Sequence, residues 1–579
     1  MKNLLTLLVA LGLTGVALAQ APADTYVYQT FGEPVSLDPV RAYDTGSGAI
    51  LENVYETLFT YDGEAIDEFV PALATGFEIS EDGTSYTFDL REGVQFHSGN
   101  TMTCRDVEYS FEYGLVTANP EGAVMYLMGD QLVGTQMTGE DAEAYQQEVS
   151  FADIDGTAEC PDGDDALTFE LNLTKADPAV IAVITYTAFS VLDSQFAIDG
   201  GAWDGTEATW TDWIGRDLTA EFLHTNTSGT GAYQLVEWSD DSVVAEAFAD
   251  YWDGAPPLAN VVVQYVDEQS TRILALQQGD ADRITLNERA ALVQLRGAPG
   301  VTVHEDPSWA PASVTAAFFT FDIDVTNNED VGTGQLDGNG IPPDFFADAN
   351  VRRAFAHLFD QQGFIDQVYD GEGRTLSVAL PPSFLGYPEN VDVRGLDLEA
   401  AEQYFREAFD GELWEQGFEF TAMYNAGNTI RQTALEIVRE NLEFINPNFR
   451  MNVRSLPWAD FLARTGEQKA PMFALGWGAD YADPRNFINT FYDNDGFYSA
   501  RTSINVPEIQ ALIDEADQIV DQAERGFIYR EIGALHHELA PLITVPVQSP
   551  FILARENLEG VYYNPMLSHT PQWKDLSKQ

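Results

Sequence analysis

Of the 93 acidic side chains in this chain, Asp480 has the setting best suited to chemistry. It lies in Gly476-Trp477-Gly478-Ala479-Asp480-Tyr481-Ala482-Asp483-Pro484. The apolar run Met472-Phe473-Ala474-Leu475 leads in, and a short apolar run bounded by glycine reads as a buried strand. The Gly-Trp-Gly turn then exposes main chain, places a large flat ring and delivers a carboxylate at the strand's C-terminal end. In α/β proteins small ligands gather at that end of a sheet. The same residues also describe a surface loop in which Trp477 packs down as core and Asp480 caps a turn. The rest of the chain has to decide between these readings.

Residues for catalysis are scarce. There is no G-x-S-x-G elbow and no H-E-x-x-H helix. His536-His537-Glu538 lacks the i, i+4 histidine spacing of a zinc helix and is expected on a solvated face. Seven scattered histidines leave little for a triad or a metal site. The expectation is therefore a non-enzyme with no catalytic residue, no metal and no cofactor. A secreted hydrolase is the enzyme alternative.

With 579 residues the chain is long enough for two or three lobes, because single cores stop growing near roughly 250–300 residues. Its 93 acidic against 28 basic residues give a net charge of −65. That field repels phosphate backbones, so nucleic acid is a poor partner. A hydrophobic content of 45% with 12% aromatics excludes a disordered acidic chain. The acidity fits solubility in a salty or extracytoplasmic medium. Only five lysines occur: Lys2, Lys175, Lys469, Lys574 and Lys578.

Lys2, the apolar run 4–18 and Ala17-Leu18-Ala19 before Gln20 form a secretory signal, so residues 1–19 are expected to be removed. No cysteine stands directly after that run, so no lipid anchor is expected, and no later run approaches the roughly 18 apolar residues of a membrane span. Export to an oxidising compartment favours pairing Cys104 with Cys160. Closing that loop of about 56 residues contributes roughly 4 kcal/mol in the chain-entropy model. Two buried free thiols are the alternative.

Periodicity predicts a strand over 24–30, a helix over 47–59, and a half-buried strand over 84–90 with Tyr86, Phe88 and Leu90 on one face. A helix follows over 104–115. Residues 117–165 are acidic, glycine-rich and weakly periodic, which predicts long peripheral loops. Strands are expected over 233–238, 242–248 and 261–266, with a helix over 269–278. Near Pro307 the pattern changes to helix–strand alternation, the sign of a second α/β lobe. There Asp397 is an expected N-cap of a helix to about residue 409. Trp203, Trp210 and Trp213 crowd a segment whose structure the pattern leaves open.

Several segments together resemble one family. They include Ser36-Leu37-Asp38-Pro39, Tyr55-Glu56-Thr57-Leu58, Pro71-Ala72-Leu73-Ala74, and Tyr86-Thr87-Phe88-Asp89-Leu90-Arg91-Glu92-Gly93-Val94 running into Phe96-His97-Ser98-Gly99. They continue with Gly229-Thr230-Gly231-Ala232-Tyr233, Tyr251-Trp252, Gln278-Gly279-Asp280-Ala281-Asp282, Val351-Arg352-Arg353-Ala354-Phe355 and the Gly-Trp-x-Ala-Asp of the opening stretch. In order and spacing the chain is similar to the extracytoplasmic solute-binding proteins of ABC importers, family 5, which include dipeptide- and oligopeptide-binding proteins.

The resemblance implies an α/β fold of the type II periplasmic-binding-protein kind, with two lobes joined by a hinge and an extra small domain (cluster C). The first lobe would comprise 20–60, 190–305 and 545–579, the small domain 61–189, and the second lobe 306–544. Asp480 would pair with a peptide's α-ammonium, and the main chain around Gly476, Trp477, Gly478 and Ala479 would bond the peptide backbone. Phe31, Gly32 and Glu33 of the first lobe would face the same cleft, and Arg464 approximately matches a position that holds the peptide's carboxylate. The implied partners are a small peptide and the ABC permease, with the chain acting as a monomer. The rival ligand is an oligosaccharide stacked on Trp203, Trp210, Trp213, Trp309, Trp414, Trp458 or Trp477. Packing is the ordinary use of such rings.

Overall fold

The structure is a computed structural model that describes residues 21–579 except 67, 287, 288, 389, 495, 520 and 570. The leader expected over 1–19 lies outside the described residues.

The strand Thr25–Thr30 is buried along almost all of its length. It sits inside a seven-stranded mixed sheet, parallel to Asn260–Tyr265 on one side and Arg283–Ile284 on the other. A strand covered on both faces needs apolar side chains on both, and their alternation decides which core each joins. Tyr26 and Tyr28 enter the core beneath the helix Thr45–Val54, while Val27 packs with Leu276 of the helix Gln269–Gln278 on the opposite face. The first of these helices stops at Val54, short of the predicted residue 59, because Tyr55 is extended.

A second, five-stranded sheet has the order Phe449–Leu456, Phe418–Asn425, Met472–Gly478, Ser313–Phe319, Leu542–Val545. Its first two strands are parallel and are joined by the helix Thr429–Ile445. Asn428 caps that helix by accepting from the Arg431 N–H, and Ala434, Leu435, Val438 and Leu442 form its buried stripe. These elements share a second core, separate from that of the first sheet.

The chain passes between the two sheets along neighbouring paths. Val301–His304 pairs with Ile552–Arg555 in the first sheet, and Ser313–Phe319 pairs with Leu542–Val545 in the second. The connections 305–312 and 546–551 therefore join the lobes in antiparallel neighbourhood. This is the two-lobe α/β architecture that the alternation beyond Pro307 predicts.

A four-stranded antiparallel sheet, Ala74–Ile79, Ser85–Leu90, Thr168–Asn172 and Ala158–Glu159, carries the helix Cys104–Thr117. Cys104 and Cys160 are joined by a disulfide. Its core is continuous with the inner core of the seven-stranded sheet, so this layer is built onto the first lobe.

The long loops predicted over 117–165 are instead the helices Val124–Val133, Ala142–Glu148 and Phe151–Asp155. Each is too short for a periodic stripe to emerge, and the acids that suggested loops serve as caps. Asp141 accepts from the Ala144 N–H, and Asp153 completes a capping box with Ser150. The segment left open around Trp203 to Trp213 is irregular apart from the 3-10 turn Trp210–Asp212, and it buries all three indoles.

Candidate functional site

Met472–Gly478 pairs along its whole length with Ser313–Phe319, but its other edge pairs with Phe418–Asn425 only at Met472 and Phe473. Beyond Phe473 no further strand covers that edge among the described residues; the Tyr498 hydroxyl donates to the Gly476 carbonyl at 2.9 Å. Gly476 is required for closeness: a Cβ there would lie 2.8 Å from Thr315 Oγ1 and 2.9 Å from the Val314 carbonyl oxygen. Gly478 is exposed, with open space where a side chain would be. Ala479 returns the chain to the sheet by donating its N–H to the Ala312 carbonyl at 2.7 Å.

Asp480 comes next, held by a residue that sequence reasoning passed over. Asn486 is buried in the first turn of the helix Arg485–Tyr492. Its Oδ1 accepts from Trp477 Nε1 at 3.1 Å and from the Asp480 N–H at 3.2 Å, while its Nδ2 donates to Asp480 Oδ2 at 3.2 Å. One amide therefore orients both the ring and the carboxylate. The available signal was a polar residue six positions after Asp480, directly before the apolar pair Phe487-Ile488.

The other lobe supplies the remaining contacts. The Tyr43 hydroxyl donates to Asp480 Oδ1 at 2.6 Å, and Tyr43 packs edge-on to Tyr186. Trp477 lies between Tyr126 of the small layer and Phe497 of its own lobe, with ring centroids 6.1 and 5.0 Å away. Arg485 reaches across to the buried Asp177 at 2.5 Å. Burial lifts the Asp480 carboxyl above the usual carboxylate range, and the bonds from Tyr43 and Asn486 offset only part of that lift. Among the described residues no Lys, Arg or His forms an ion pair with it.

Asp480 forms part of the wall of a cavity of about 420 Å³ whose lining also includes Glu52, Tyr186, Trp252, Tyr562 and Lys574. That volume is within the roughly 300–1,000 Å³ usual for small-molecule sites. The wall carries six carboxylates, those of Glu52, Glu56, Asp62, Asp253, Asp480 and Asp575, against one ammonium, Lys574.

Not every residue singled out from sequence is brought to this cavity: of the opening stretch only Asp480 is among its described lining residues, while Gly476, Trp477, Gly478 and Ala479 are not. Phe31, Gly32 and Glu33 follow the strand Thr25–Thr30 but are not among the described residues that line it. Phe31 is exposed beneath the Arg272 guanidinium, and the Glu33 carbonyl backs onto Gly46. Arg464 is committed elsewhere, to Asp330 at 2.5 Å and Asn328 at 2.9 Å. Of the tryptophans named as sugar platforms, Trp203, Trp210 and Trp213 are buried in core. Trp309 bonds Glu64 and faces Tyr563, Trp414 lies under Arg406, and Trp458 is exposed. His536 is a correction. It is buried rather than solvated, and its Nδ1 meets the Tyr492 hydroxyl at 2.9 Å. The helix Gln522–Leu539 turns that edge inward because Tyr529, Ile532 and His536 share one face.

A family profile described as bacterial extracellular solute-binding proteins, family 5 Middle, matches residues 68–499. The chain belongs to this family. Curated relatives of this solute-binding protein include heme-binding protein A of Haemophilus influenzae, 25% identical over 94% of this chain and 90% of that one. The dipeptide-binding protein of Escherichia coli is 23% identical over 96% of both chains. Among solved structures, HbpA2 from Haemophilus parasuis superposes with a TM-score of 0.74 at 21% identity, covering 96% of this chain and 100% of that one. The periplasmic binding protein DppA from Helicobacter pylori, in complex with the peptide STSA, gives 0.68 at 22%, covering 96% and 98%. These likenesses establish the type II two-lobe fold. No helix among the described residues is long and apolar enough to cross a membrane.

The electrostatics of this solute-binding protein predict how its stability depends on pH. Burial pushes the carboxyls of Asp38, Glu52 and Glu112 up to about 6, 7 and 8. The folded state keeps protons that the unfolded chain sheds, so this stabilisation is complete below the ordinary carboxylate range and is lost as pH rises through those values. Burial also pushes the imidazoles of His97 and His536 down to about 4 and about 3, and His569 well down. Their contribution is present above about pH 6.5 and is lost as pH falls, when the unfolded chain takes up protons that the fold refuses. The two trends oppose each other in acid; near neutrality and above, the acids act alone. The Tm of the ligand-free protein should therefore fall by several degrees between about pH 6.5 and 8.5, as followed by circular dichroism. A Tm that rises across that range would contradict the assignment.

Proposed function

We propose that this solute-binding protein is the extracytoplasmic receptor of an ABC importer and that its solute is a short peptide. The observation that carries the reading is the Asp480 carboxylate, which lies in the wall of an inter-lobe cavity with hydrogen-bond donors but, among the described residues, no cation paired with it. A peptide α-ammonium supplies the missing charge, and in a closed, dry cleft neither charge is stable alone.

The acid-rich wall supports an ammonium-bearing solute over the dianionic porphyrin that the Haemophilus relative's name suggests. The burial of Trp203, Trp210 and Trp213 removes three of the rings on which the oligosaccharide reading depends. In the mechanism, the open monomer captures peptide, the lobes close about the paired connections 305–312 and 546–551, and the closed form docks on the membrane permease. Ligands released by denaturing the purified protein should be short peptides by mass spectrometry. Recovery of glycans or porphyrin with no peptide would overturn the reading.

A further inference from the structure

Arg485 stands between two carboxylates that belong to different parts of the molecule. Its Nη1 meets Asp177 Oδ2 at 2.5 Å, and its Nε lies 3.9 Å from Asp517 Oδ1. Asp177 follows the strand Thr168–Asn172 of the small layer, which is built onto the first lobe. Asp517 directly follows the helix Pro507–Ala516 of the second lobe, the lobe to which Arg485 itself belongs.

The two acids are held by bonds of their own. The Asp177 side chain is 3% exposed, and its Oδ1 accepts from the Ala179 N–H at 2.8 Å. The Asp517 side chain is 35% exposed, and its Oδ2 accepts from Asn489 Nδ2 at 3.1 Å. Each keeps its place whichever of them Arg485 bonds. The Arg485 main chain is fixed as well, its N–H donating to Asp483 Oδ1 at 2.9 Å. The gap to Asp517 exceeds a hydrogen bond by about 1 Å, within reach of a small side-chain rotation.

Tyr481 adds an apolar contact to the same turn. It belongs to the second lobe's chain, yet its ring is buried in the core shared by the first lobe and the small layer. Parting the lobes withdraws that ring and separates Arg485 from Asp177. By contrast, Arg289 and Arg296 meet Glu372 beside Glu305 and Ser549, at the connections between the lobes, where a hinge motion displaces little.

We infer that Arg485 is a two-position latch: it bonds Asp177 when the lobes are closed and Asp517 when they part, so that the ligand-free protein populates both states. The inference rests on the hinge motion of the proposed receptor and not on the identity of its solute. A cation with one acid on each side has a partner in either state, so opening does not leave its charge unpaired. In the closed state Asp517 contributes a distant attraction to Arg485 and a repulsion of Asp177, which largely offset each other. In the open state it holds the guanidinium alone.

Small-angle X-ray scattering of the full-length protein, stripped of solute by unfolding and refolding, reads the balance as a radius of gyration. Asp177→Asn should enlarge it, with the open-to-closed ratio rising about tenfold or more, a modest share of the loss expected when one member of a buried pair is removed. Arg485→Met, which removes the cation itself, should enlarge it too. Asp517→Asn should reduce it. Asparagine can keep the bond from the Ala179 N–H at one site and that from Asn489 at the other, so both variants should retain the parent's circular dichroism. Opposite shifts for the two acids are the result expected of a latch, whereas a merely structural pair moves both the same way or neither. An enlarged radius in Asp517→Asn, or a radius equal to the parent's in any of the three variants, would overturn the latch. No solute is present, so that failure leaves the peptide reading standing. Recovery of glycans or porphyrin from the purified protein would in turn leave the latch standing.

Discussion

Asp480→Asn should weaken peptide binding on the order of a hundredfold to a thousandfold, the loss that follows when one member of a desolvated ion pair is removed. The amide retains the shape of the carboxylate; its oxygen can still accept from Asn486 Nδ2, while the Tyr43 hydroxyl must turn from donor to acceptor, so the change is mainly one of charge. The same substitution should stabilise the ligand-free protein slightly at neutral pH, because burial holds this carboxyl above its usual range and the charged form is therefore costly in the empty site. Opposite effects on affinity and on apo stability separate a binding role from a structural one.

A pH dependence follows from the same cause. In the parent, affinity should rise with pH through the elevated carboxyl pKa, and binding below that value should release a proton. Titration calorimetry in buffers of different ionisation enthalpy reads that proton, and Asp480→Asn should abolish it. An affinity unchanged by the substitution would remove the ammonium role altogether.

The fold was legible where a local pattern reports a local fact. Alternation in the strand Thr25–Thr30, the Asp397 cap, and the change of rhythm near Pro307 each depend on a few consecutive residues. The helices between Val124 and Asp155 were not legible, because ten, seven and five residues give too few turns for a stripe to emerge. The site divides in the same way. The strand, glycines and carboxylate of the Asp480 turn are contiguous and could be named from sequence. Tyr43 is 437 positions away, and Lys574 reaches the same cavity from the far end of the chain. Nothing local marks either as a neighbour of Asp480. Arg464 shows the converse error: a cation in the right stretch of sequence has its charge satisfied by Asp330 before any ligand arrives.

Arg525→Met should be strongly damaging to the second lobe, costing about 3–5 kcal/mol of stability. The Arg525 side chain is wholly buried and grips Asp483 with two bonds of 2.7 Å, one to each carboxylate oxygen. Tyr529 accepts a third bond at 2.8 Å. Burial works against the guanidinium charge, and Asp483 beside it more than restores it. Methionine fills similar space but leaves Asp483 with an uncompensated charge in a site where it is 4% exposed. Breaking such a pair is expensive even where the intact pair contributes little net stability. A double-mutant cycle distinguishes the two quantities. Adding Asp483→Asn to Arg525→Met should recover much of the loss, because the orphan charge is gone while the bond from the Arg485 N–H to residue 483 can persist.

The consequence for binding runs through geometry. Asp483 lies between Asp480 and the helix Arg485–Tyr492, whose Asn486 orients both Asp480 and Trp477. The single variant should therefore lose affinity along with stability, and the double variant should regain both. Thermal unfolding and peptide titration on the same three proteins read this directly. A single variant within about 1 kcal/mol of the parent would show that the charge is relieved by another route and that the pair does not hold the Asp480 turn in place.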